Sequence, residues 1–415
     1  MTTLDMVRAA STTPVVTLSD TEARIDMVKL RQYRLGRIRK QLAASGCGAA
    51  LLFDPINIRY ATGRRSHSAF GLHILGRSVF IPASGPVVLF DSESYAYLSE
   101  PLETIDDVRP GRPMSFFFGG PRAKDNAAWY AKEVAALVKK HCRGNKKLAL
   151  DRGDLYISAA LAGHGLKLLD GQELAERARA IKSAEEILCM NYAITAAEVG
   201  MARMREALRP GITENQLWSL LHQANIAHGG EWIDARLMAS GDRTNPWGQE
   251  TSDRVIRASE LVAFDCDMVG PFGYCADISR TWFCEPGKPT KQQRELYKLA
   301  YEEVHHNISI LKPGMTFREF SKKAWKPPKS CIPTRYVVVS HGIGMCDEYP
   351  SIYYQVDWKD RGFDGVIEEN MTLCIESYVG PVGLNEGVKL ERQVLVTKKG
   401  AVPLDKFPFE DSLLA

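Results

Sequence analysis

The spacing of apolar and polar residues predicts alternating helices and strands in the first part of the chain. Residues 22–44 place apolar side chains at helical intervals among basic ones, and Gly46 is a typical stop. Short apolar runs follow, each bounded by turn residues, as is typical of strands between helices. These runs cover residues 48–53, 79–82, 87–90 and 148–150. We therefore expect an N-terminal α/β domain over residues 1–180.

Two long helices of the second part are predicted to begin and end in the same way. Capping boxes at residues 183–186 and 290–293 open them, and Pro-Gly pairs at residues 210–211 and 313–314 end them. A fresh capping box starts directly after each pair, so the two segments match in character. This repeat predicts a second domain, residues 181–415, built from two related halves whose corresponding strand ends face one another across a pseudo-twofold axis.

Acidic residues follow apolar, strand-like runs in both halves. One such run ends in Asp265 and Asp267, and the strand that returns after a Pro-Phe-Gly turn carries Asp277. Strand alternation places Asp265 and Asp267 on one face. In the second half, Glu376 and Glu391 take similar positions on a predicted hairpin.

An apolar run over residues 336–341 is predicted to be a strand that delivers His341 between the two halves. Buried acids are costly unless they are paired or bind a cation. Carboxylates with one imidazole suit two hard or borderline divalent ions bridged by shared carboxylates, whereas structural zinc sites are rich in thiols. The candidate metal ligands are Asp265, Asp267, Asp277, His341, Glu376 and Glu391.

Composition indicates which class of protein this is but does not indicate its function. Lys and Arg number 53 against 50 Asp and Glu, a net charge of +3, and 45% of residues are hydrophobic. This balance is typical of a globular protein and lacks the basic excess of a nucleic-acid binder. No run approaches the ~20 apolar residues of a membrane span, and residues 1–20 lack a signal-peptide core. With nine cysteines and no CxxC motif, we expect a cytoplasmic protein with reduced thiols and no nucleic-acid or membrane partner.

The order of acids and histidine resembles the metal set of the creatinase and methionine aminopeptidase superfamily, which has the pita-bread fold. The flanking residues 273–274, 277–281, 341–344 and 387–391 match as well, and residues 54–63 resemble more weakly the N-terminal domain of creatinase and prolidase-type members. The resemblance implies an α/β (α+β) protein. Its domains would be a creatinase-like N-terminal α/β domain at residues 1–180 and a pita-bread catalytic metal-binding domain with a pseudo-twofold repeat at residues 181–415.

Some positions depart from the peptidase members of that superfamily. Asp267 is an extra acid inside the first hairpin, and Asp347 stands where peptidases carry a second histidine before Glu and Pro. Ser377 and Arg392 replace the proline and the acid that peptidases favour after the two glutamates. These departures resemble a non-peptidase branch, the bacterial dimethylsulfoniopropionate lyases. The resemblance implies a homodimer, a two-metal site occupied by iron, and cleavage of dimethylsulfoniopropionate to dimethyl sulfide and acrylate.

That reaction assigns roles to further residues. Elimination needs a positioned base, for which Asp347 is the candidate, while Tyr336 would orient the base or the substrate, with simple strand packing as the alternative. A sulfonium cation favours aromatic faces, although tryptophan is more often a core residue. The candidate aromatic walls are Trp247, Trp282, Trp325 and Tyr353.

The residues leave other reactions open. The chief alternative is an Xaa-Pro aminopeptidase or prolidase-type dinuclear metallopeptidase, followed by a metal-free creatinase-like hydrolase and a binding protein on a retired enzyme fold. Carboxylate-rich sites also accept Mn, Co or Zn in place of iron. The sequence does not decide whether Asp265 and Asp267 both bind metal.

Overall fold

The computed structural model describes residues 22–66 and 68–415. The expectation that residues 1–20 lack a signal peptide falls outside the described residues. The described chain divides into two compact units, Glu22–Arg179 and Ala180–Ala415. Within the described ranges, no helix combines the length and the apolar character needed to cross a membrane.

The first unit is a mixed sheet with helices. Its helices are α1 (Met27–Ser45), α2 (Pro55–Thr62), α3 (Ser68–His73), α4 (Phe116–Gly119), α5 (Ala123–His141), α6 (Leu155–Gly163) and α7 (Gly171–Arg179), with short 3-10 helices at Glu22–Arg24, Glu93–Leu98 and Gly120–Arg122. Its strands are β1 (Ala49–Leu52), β2 (Ser78–Pro82), β3 (Val88–Asp91), β4 (Asp107–Pro110), β5 (Lys147–Leu150) and β6 (Lys167–Asp170), in the sheet order β4-β3-β2-β1-β5-β6.

Local signals explain both ends of α1. The side chain of Asp26 accepts a hydrogen bond from the Lys29 amide, so α1 begins at Met27, later than the predicted residue 22. The helix ends at Gly46, whose φ of 64° is the left-handed conformation that glycine adopts without strain. The apolar runs predicted to be strands match β1, β2, β3 and β5, whereas the more polar β4 and β6 escaped the hydrophobic pattern.

The second unit carries the candidate chemistry. Its helices are α8 (Ala184–Ala207), α9 (Glu214–Ala227), α10 (Lys291–Ile310), α11 (Phe317–Lys323), α12 (Trp358–Arg361) and α13 (Asp411–Leu414), with 3-10 helices at Gly241–Thr244, Pro271–Gly273 and Lys329–Thr334. Its strands are β7 (Trp232–Ile233), β8 (Met238–Ser240), β9 (Leu261–Asp265), β10 (Met268–Val269), β11 (Cys275–Ala276), β12 (Ser279–Phe283), β13 (Ser340–Ile343), β14 (Asp347–Ile352), β15 (Thr372–Val379), β16 (Val388–Thr397) and β17 (Gly400–Pro403). The sheet orders are β11-β10-β7, β12-β9-β8 and β14-β13-β15-β16-β17.

The predicted repeat is present in the second unit. Capping boxes at Thr213 and Thr316 open α9 and α11 after Pro-Gly turns, as the sequence indicated. The two threonines also form equivalent isolated antiparallel bridges, to Val255 and Val366 respectively. In each half, the N-cap threonine of the second helix is therefore anchored by the same kind of backbone bridge.

One predicted strand is shorter than expected. The apolar run at residues 336–341 was predicted to be a strand, but β13 begins only at Ser340. Val337 is 59% exposed, so the first part of the run does not supply the continuous buried face that an interior strand needs. Tyr336 consequently lies in the connection before the strand.

Strand alternation separates the core from the site in β15. Leu373 and Ile375 belong to the hydrophobic core shared with Tyr297 and Val304 of α10. Because successive side chains point to opposite faces, Glu376 lies on the other face of the sheet.

Candidate metal centre

The first hairpin brings three aspartates together. Asp265 ends β9, which pairs with β12, and Asp277 lies just before β12 begins. Asp267 interrupts the strand, because its φ of 36° is left-handed, and β10 starts after it. Non-glycine residues rarely adopt such a backbone except where the surrounding structure enforces it, often at functional sites. The three aspartates each offer an oxygen to one group whose ligand atoms lie within 4.8 Å of one another.

The second hairpin supplies the glutamates. Glu376 of β15 lies directly opposite Glu391 of β16, and both are fully buried. His341 of β13 is 7% exposed, and its Nε2 lies 3.2 Å from Glu376 Oε1 and 3.7 Å from Glu391 Oε1. The same nitrogen is 3.5 Å from Asp277 Oδ2, so the two hairpins meet at this histidine.

All six predicted ligands fall into overlapping groups. Asp265, Glu376 and Glu391 form one group, and Asp277, His341 and Glu391 belong to another that also contains Cys374. Sharing of Asp265, Asp277 and Glu391 among the groups suits two neighbouring cations bridged by common carboxylates.

The donor set fits divalent cations. Among the described residues, the buried oxygens that have no hydrogen-bond partner include Asp265 Oδ1, Asp267 Oδ2, Asp277 Oδ1 and Glu391 Oε1. Buried carboxylate oxygens are normally satisfied by donors, and hard or borderline cations prefer such oxygens. The residues that would hold two metal ions are therefore in place.

Lys389 is a central residue of the cluster that sequence reasoning missed. Its fully buried Nζ lies 2.6 Å from Glu376 Oε2, 3.0 Å from Asp265 Oδ2 and 3.1 Å from Glu391 Oε2, and it donates to Ser279 Oγ at 2.7 Å. Lys389 thus engages one carboxylate oxygen each of Asp265 and Glu391, while the other oxygen of each has no hydrogen-bond partner among the described residues. The signal was available, because Lys389 precedes Glu391 by two residues on the same strand and must share its face.

Burial and mutual repulsion raise the pKa of most of these acids and so favour their protonated forms. Burial, reinforced by neighbouring carboxylates, raises the pKa of Asp277 and Glu391 well above the usual range and that of Asp267 to about 8. Burial opposes ionisation of Asp265 too, but the charge of Lys389 lowers its pKa. Metal ligands must be deprotonated, so a bound cation would displace these protons.

His341 also favours its protonated form. Burial alone would lower its pKa, but the hydrogen bond with Glu376 and the charge of Asp347 raise the pKa to about 10. Its other nitrogen, Nδ1, lies 3.0 Å from the carbonyl oxygen of Gly342. This contact suits Nδ1 as the protonated nitrogen and Nε2 as the ligand.

A pocket of about 430 Å³ opens beside the cluster. Its lining includes Asp267 and Asp277 from the cluster together with Tyr336, Asp347 and Asp234. The volume is within the range of small-molecule sites. Asp234, which the sequence did not single out, follows the short strand β7, and its amide donates to the Asp267 carbonyl oxygen at 3.0 Å.

The two predicted catalytic residues both reach this pocket. Asp347 is 68% exposed, and its Oδ1 is 3.8 Å from His341 Nδ1. Partial desolvation in the pocket raises the pKa of Asp347, and the charges of Glu376 and Asp265 add to this rise. The charge of His341 opposes it. The charge of Glu376, followed by burial, raises the pKa of Tyr336, so its hydroxyl stays protonated and can donate.

The aromatic residues predicted to be substrate walls do not line this pocket. Trp282 is 2% exposed and packs 4.4 Å from Phe264, on the opposite face of β12 from Ser279, because side chains alternate along a strand. Tyr353 follows β14, and its ring faces Phe363 at 6.5 Å.

The two remaining tryptophans differ from each other. Trp325 follows α11, and its amide donates to Asn307 Oδ1. Trp247 lies near the cluster, with its ring 6.0 Å from Lys389 Nζ. Of these tryptophans and Tyr353, none is among the described residues that line the pocket.

Comparison with known proteins agrees with this geometry. The model for metallopeptidase family M24 matches residues 188–398, and that for the creatinase/prolidase N-terminal domain matches residues 34–181. The chain is 36% identical over 394 residues to dimethylsulfoniopropionate lyase DddP of Roseovarius nubinhibens, covering 94% of this chain and 88% of the relative. It is 35% identical, with the same coverage, to the protein of that name from Roseobacter denitrificans.

A solved structure shows the same fold. The Xaa-Pro dipeptidase from Bacillus anthracis superposes with a TM-score of 0.73 at 21% identity, covering 92% of this chain and 99% of that one. The expected creatinase-like N-terminal domain and pita-bread domain are thereby confirmed. The chain belongs to metallopeptidase family M24, and its N-terminal domain is of the creatinase/prolidase type.

Proposed function

We propose that this protein is a lyase that cleaves the C–S bond of dimethylsulfoniopropionate, giving dimethyl sulfide and acrylate by β-elimination. The dimethylsulfoniopropionate lyases that share 35–36% of its residues support this reaction. The observation that carries the proposal is Asp347, an accessible carboxylate that lines the pocket beside the acid cluster, with its Oδ1 3.8 Å from His341 Nδ1.

Elimination requires a proton transfer, and Asp347 is the base that we propose for it. The carboxylate would take a proton from the carbon next to the substrate carboxylate. The released electron pair forms the C=C bond, and the C–S bond breaks with its electrons passing to sulfur as dimethyl sulfide leaves. A raised pKa makes Asp347 a stronger base, and the protonated hydroxyl of Tyr336 is available to orient the base or the substrate.

The pocket suits a small zwitterion. Asp234 and Asp347 place acidic groups around the space that the sulfonium would occupy. We assign the carboxylate end of the substrate to the cluster. There, two divalent metal ions would be bound by Asp265, Asp267, Asp277, His341, Glu376 and Glu391. Such ions, when bound, act as Lewis acids that stabilise negative charge developing on the substrate carboxylate. We further propose iron as the metal, a homodimer as the assembly and the cytoplasm as the location.

The second candidate is an Xaa-Pro peptidase on the same site. The structural likeness to an Xaa-Pro dipeptidase and the complete acid and histidine set favour it. Peptide hydrolysis needs a water nucleophile and a proton donor for the leaving amine, whereas elimination needs only a base directed at carbon.

Parallel incubation separates the two reactions. Purified, metal-loaded protein is given dimethylsulfoniopropionate in one vial and an Xaa-Pro dipeptide in another. We expect dimethyl sulfide in the headspace and acrylate in equal amount, with no proline released. Proline release without dimethyl sulfide would instead establish the peptidase.

A further inference from the structure

Cys374 shares a sheet face with the candidate metal ligands. In the register of the five-strand sheet, His341 lies opposite Cys374, and Cys374 lies opposite Gln393. Glu376 is two residues further along β15, so alternation turns Cys374 and Glu376 to the same side. The thiol therefore belongs to the layer of side chains that forms the cluster rather than to the core behind the sheet.

Distances confirm this placement. Single ligand atoms of Asp277, His341, Cys374 and Glu391 lie within 4.8 Å of one another, and each of the four residues is buried. Cys374 Sγ lies 3.8 Å from the carbonyl oxygen of Asp277, a weak hydrogen bond. A thiol that served only as a small apolar core residue would be expected among Leu and Val side chains instead.

A second observation points independently to a cation at this place. Two of the partners of Cys374 in the group, Asp277 and Glu391, each have a buried oxygen without a hydrogen-bond partner among the described residues. Cys266 provides the contrast, because its Sγ donates to the Ala276 carbonyl oxygen at 2.9 Å and accepts from the Ile278 amide at 3.3 Å. Backbone groups thus account for Cys266, whereas Cys374 faces unsatisfied ligand atoms.

We propose that Cys374 Sγ is a ligand of the metal ion held by Asp277, His341 and Glu391. Coordination would release the thiol proton to solvent and give a mixed sulfur, nitrogen and oxygen set. Thiolate favours Fe²⁺, Co²⁺ and Zn²⁺ over Mn²⁺ and Mg²⁺, whereas an all-oxygen set would accept the harder ions readily. The sulfur thus makes this metal position selective for a softer ion, whichever reaction the site catalyses.

Cobalt substitution tests the assignment without relying on activity. Metal-free protein is titrated with Co²⁺, and bound cobalt is quantified while the near-ultraviolet thiolate-to-cobalt charge-transfer band is recorded. We expect the band in the wild type, its loss in Cys374→Ser with cobalt still bound, and its retention in Cys284→Ser. Cys284 is a matched control, since it is a buried thiol in the same unit whose Sγ contacts the Glu285 carbonyl oxygen.

Metal selectivity provides a second readout. Cys374→Ser should lower the ratio of Zn²⁺ to Mn²⁺ affinity by about 10–100-fold. Loss of a residue that only hydrogen-bonds to a metal ligand already lowers metal affinity by that factor. Bound cobalt without a charge-transfer band in the wild type, or an unchanged band in Cys374→Ser, would overturn the assignment. If that variant fails to fold, X-ray absorption of the wild type decides by the presence or absence of sulfur at about 2.3 Å. A wild type that binds no metal would refute both this inference and the proposed metal-assisted lyase.

Discussion

Buried acids serve opposite purposes in the two units of this chain. In the first unit, Asp151 Oδ1 accepts from the Phe53 amide at 2.8 Å, while Oδ2 accepts from the Asp54 amide and from Asn57 Nδ2. In the second unit, Asp277 Oδ1 and Glu391 Oε1 have no hydrogen-bond partner in the part of the chain that the structure describes. Burial alone therefore does not mark a functional acid. The presence or absence of donors around the carboxylate separates an acid that holds the fold together from one that is available to a cation.

The largest effect is expected at Asp347, which lines the pocket and is 68% exposed, unlike the buried Asp151 and Asp277. Asp347→Ala should lower the rate of dimethyl sulfide release by about 10²–10⁴-fold, because general bases contribute rate factors of that size. Bound metal, measured by elemental analysis, should stay unchanged. Normal turnover in this variant would show that Asp347 is not the base.

Removing the positive charge of Lys389 from the cluster sharpens the contrast between the units. Lys389→Met leaves Asp265, Glu376 and Glu391 buried without their common partner, so the chelator-treated protein should lose about 3–5 kcal/mol of unfolding free energy. Chemical denaturation measures the change. Lys398→Met, in the exposed turn after the same strand, is the control and should stay within about 0.5 kcal/mol of the wild type. Equal stability of the two variants would contradict the role given to Lys389.

Matched substitutions compare the two kinds of acid directly. Asp151→Asn replaces an acceptor of several hydrogen bonds by a group with one acceptor, and should destabilise the protein by about 1–3 kcal/mol while metal binding is unaffected. Asp277→Asn should abolish metal binding but leave the chelated protein about as stable as the wild type, because the raised pKa of Asp277 already favours its uncharged form when no metal is bound. Thermal unfolding with chelator and metal analysis of both variants test this. Full metal occupancy in Asp277→Asn would sink the ligand assignment.

The smallest effect is expected at the exposed acid Asp234. Asp234→Asn should raise KM for dimethylsulfoniopropionate by about two- to fivefold with kcat unchanged, because exposed charges contribute little in water. Asp360→Asn, an exposed acid on α12, is the control. A fall in kcat without a change in KM would argue that Asp234 does not attract the cation.

Parts of the site could be read from period-two alternation, and parts could not. Alternation implies that Lys389 shares a face with Glu391 and that Cys374 shares one with Glu376, although neither residue was assigned a role from the sequence. The same rule would have placed Trp282 away from Ser279, and so out of the site. Asp234 carries no such signal, because it follows a strand of only two residues, Trp232–Ile233.

The sequence by itself determined the helix caps, the repeat and the identity of the acids, because these depend on neighbours within a few positions or on strand periodicity. The tertiary structure decided which oxygens lack donors, that Lys389 holds one side of the cluster, and that Asp234 and Asp347 line one pocket with Asp267 and Asp277. Those properties arise where β9, β12, β13, β15 and β16 meet. Contacts between residues a hundred positions apart set the burial, the charges and the pKa values there, and no local pattern encodes them.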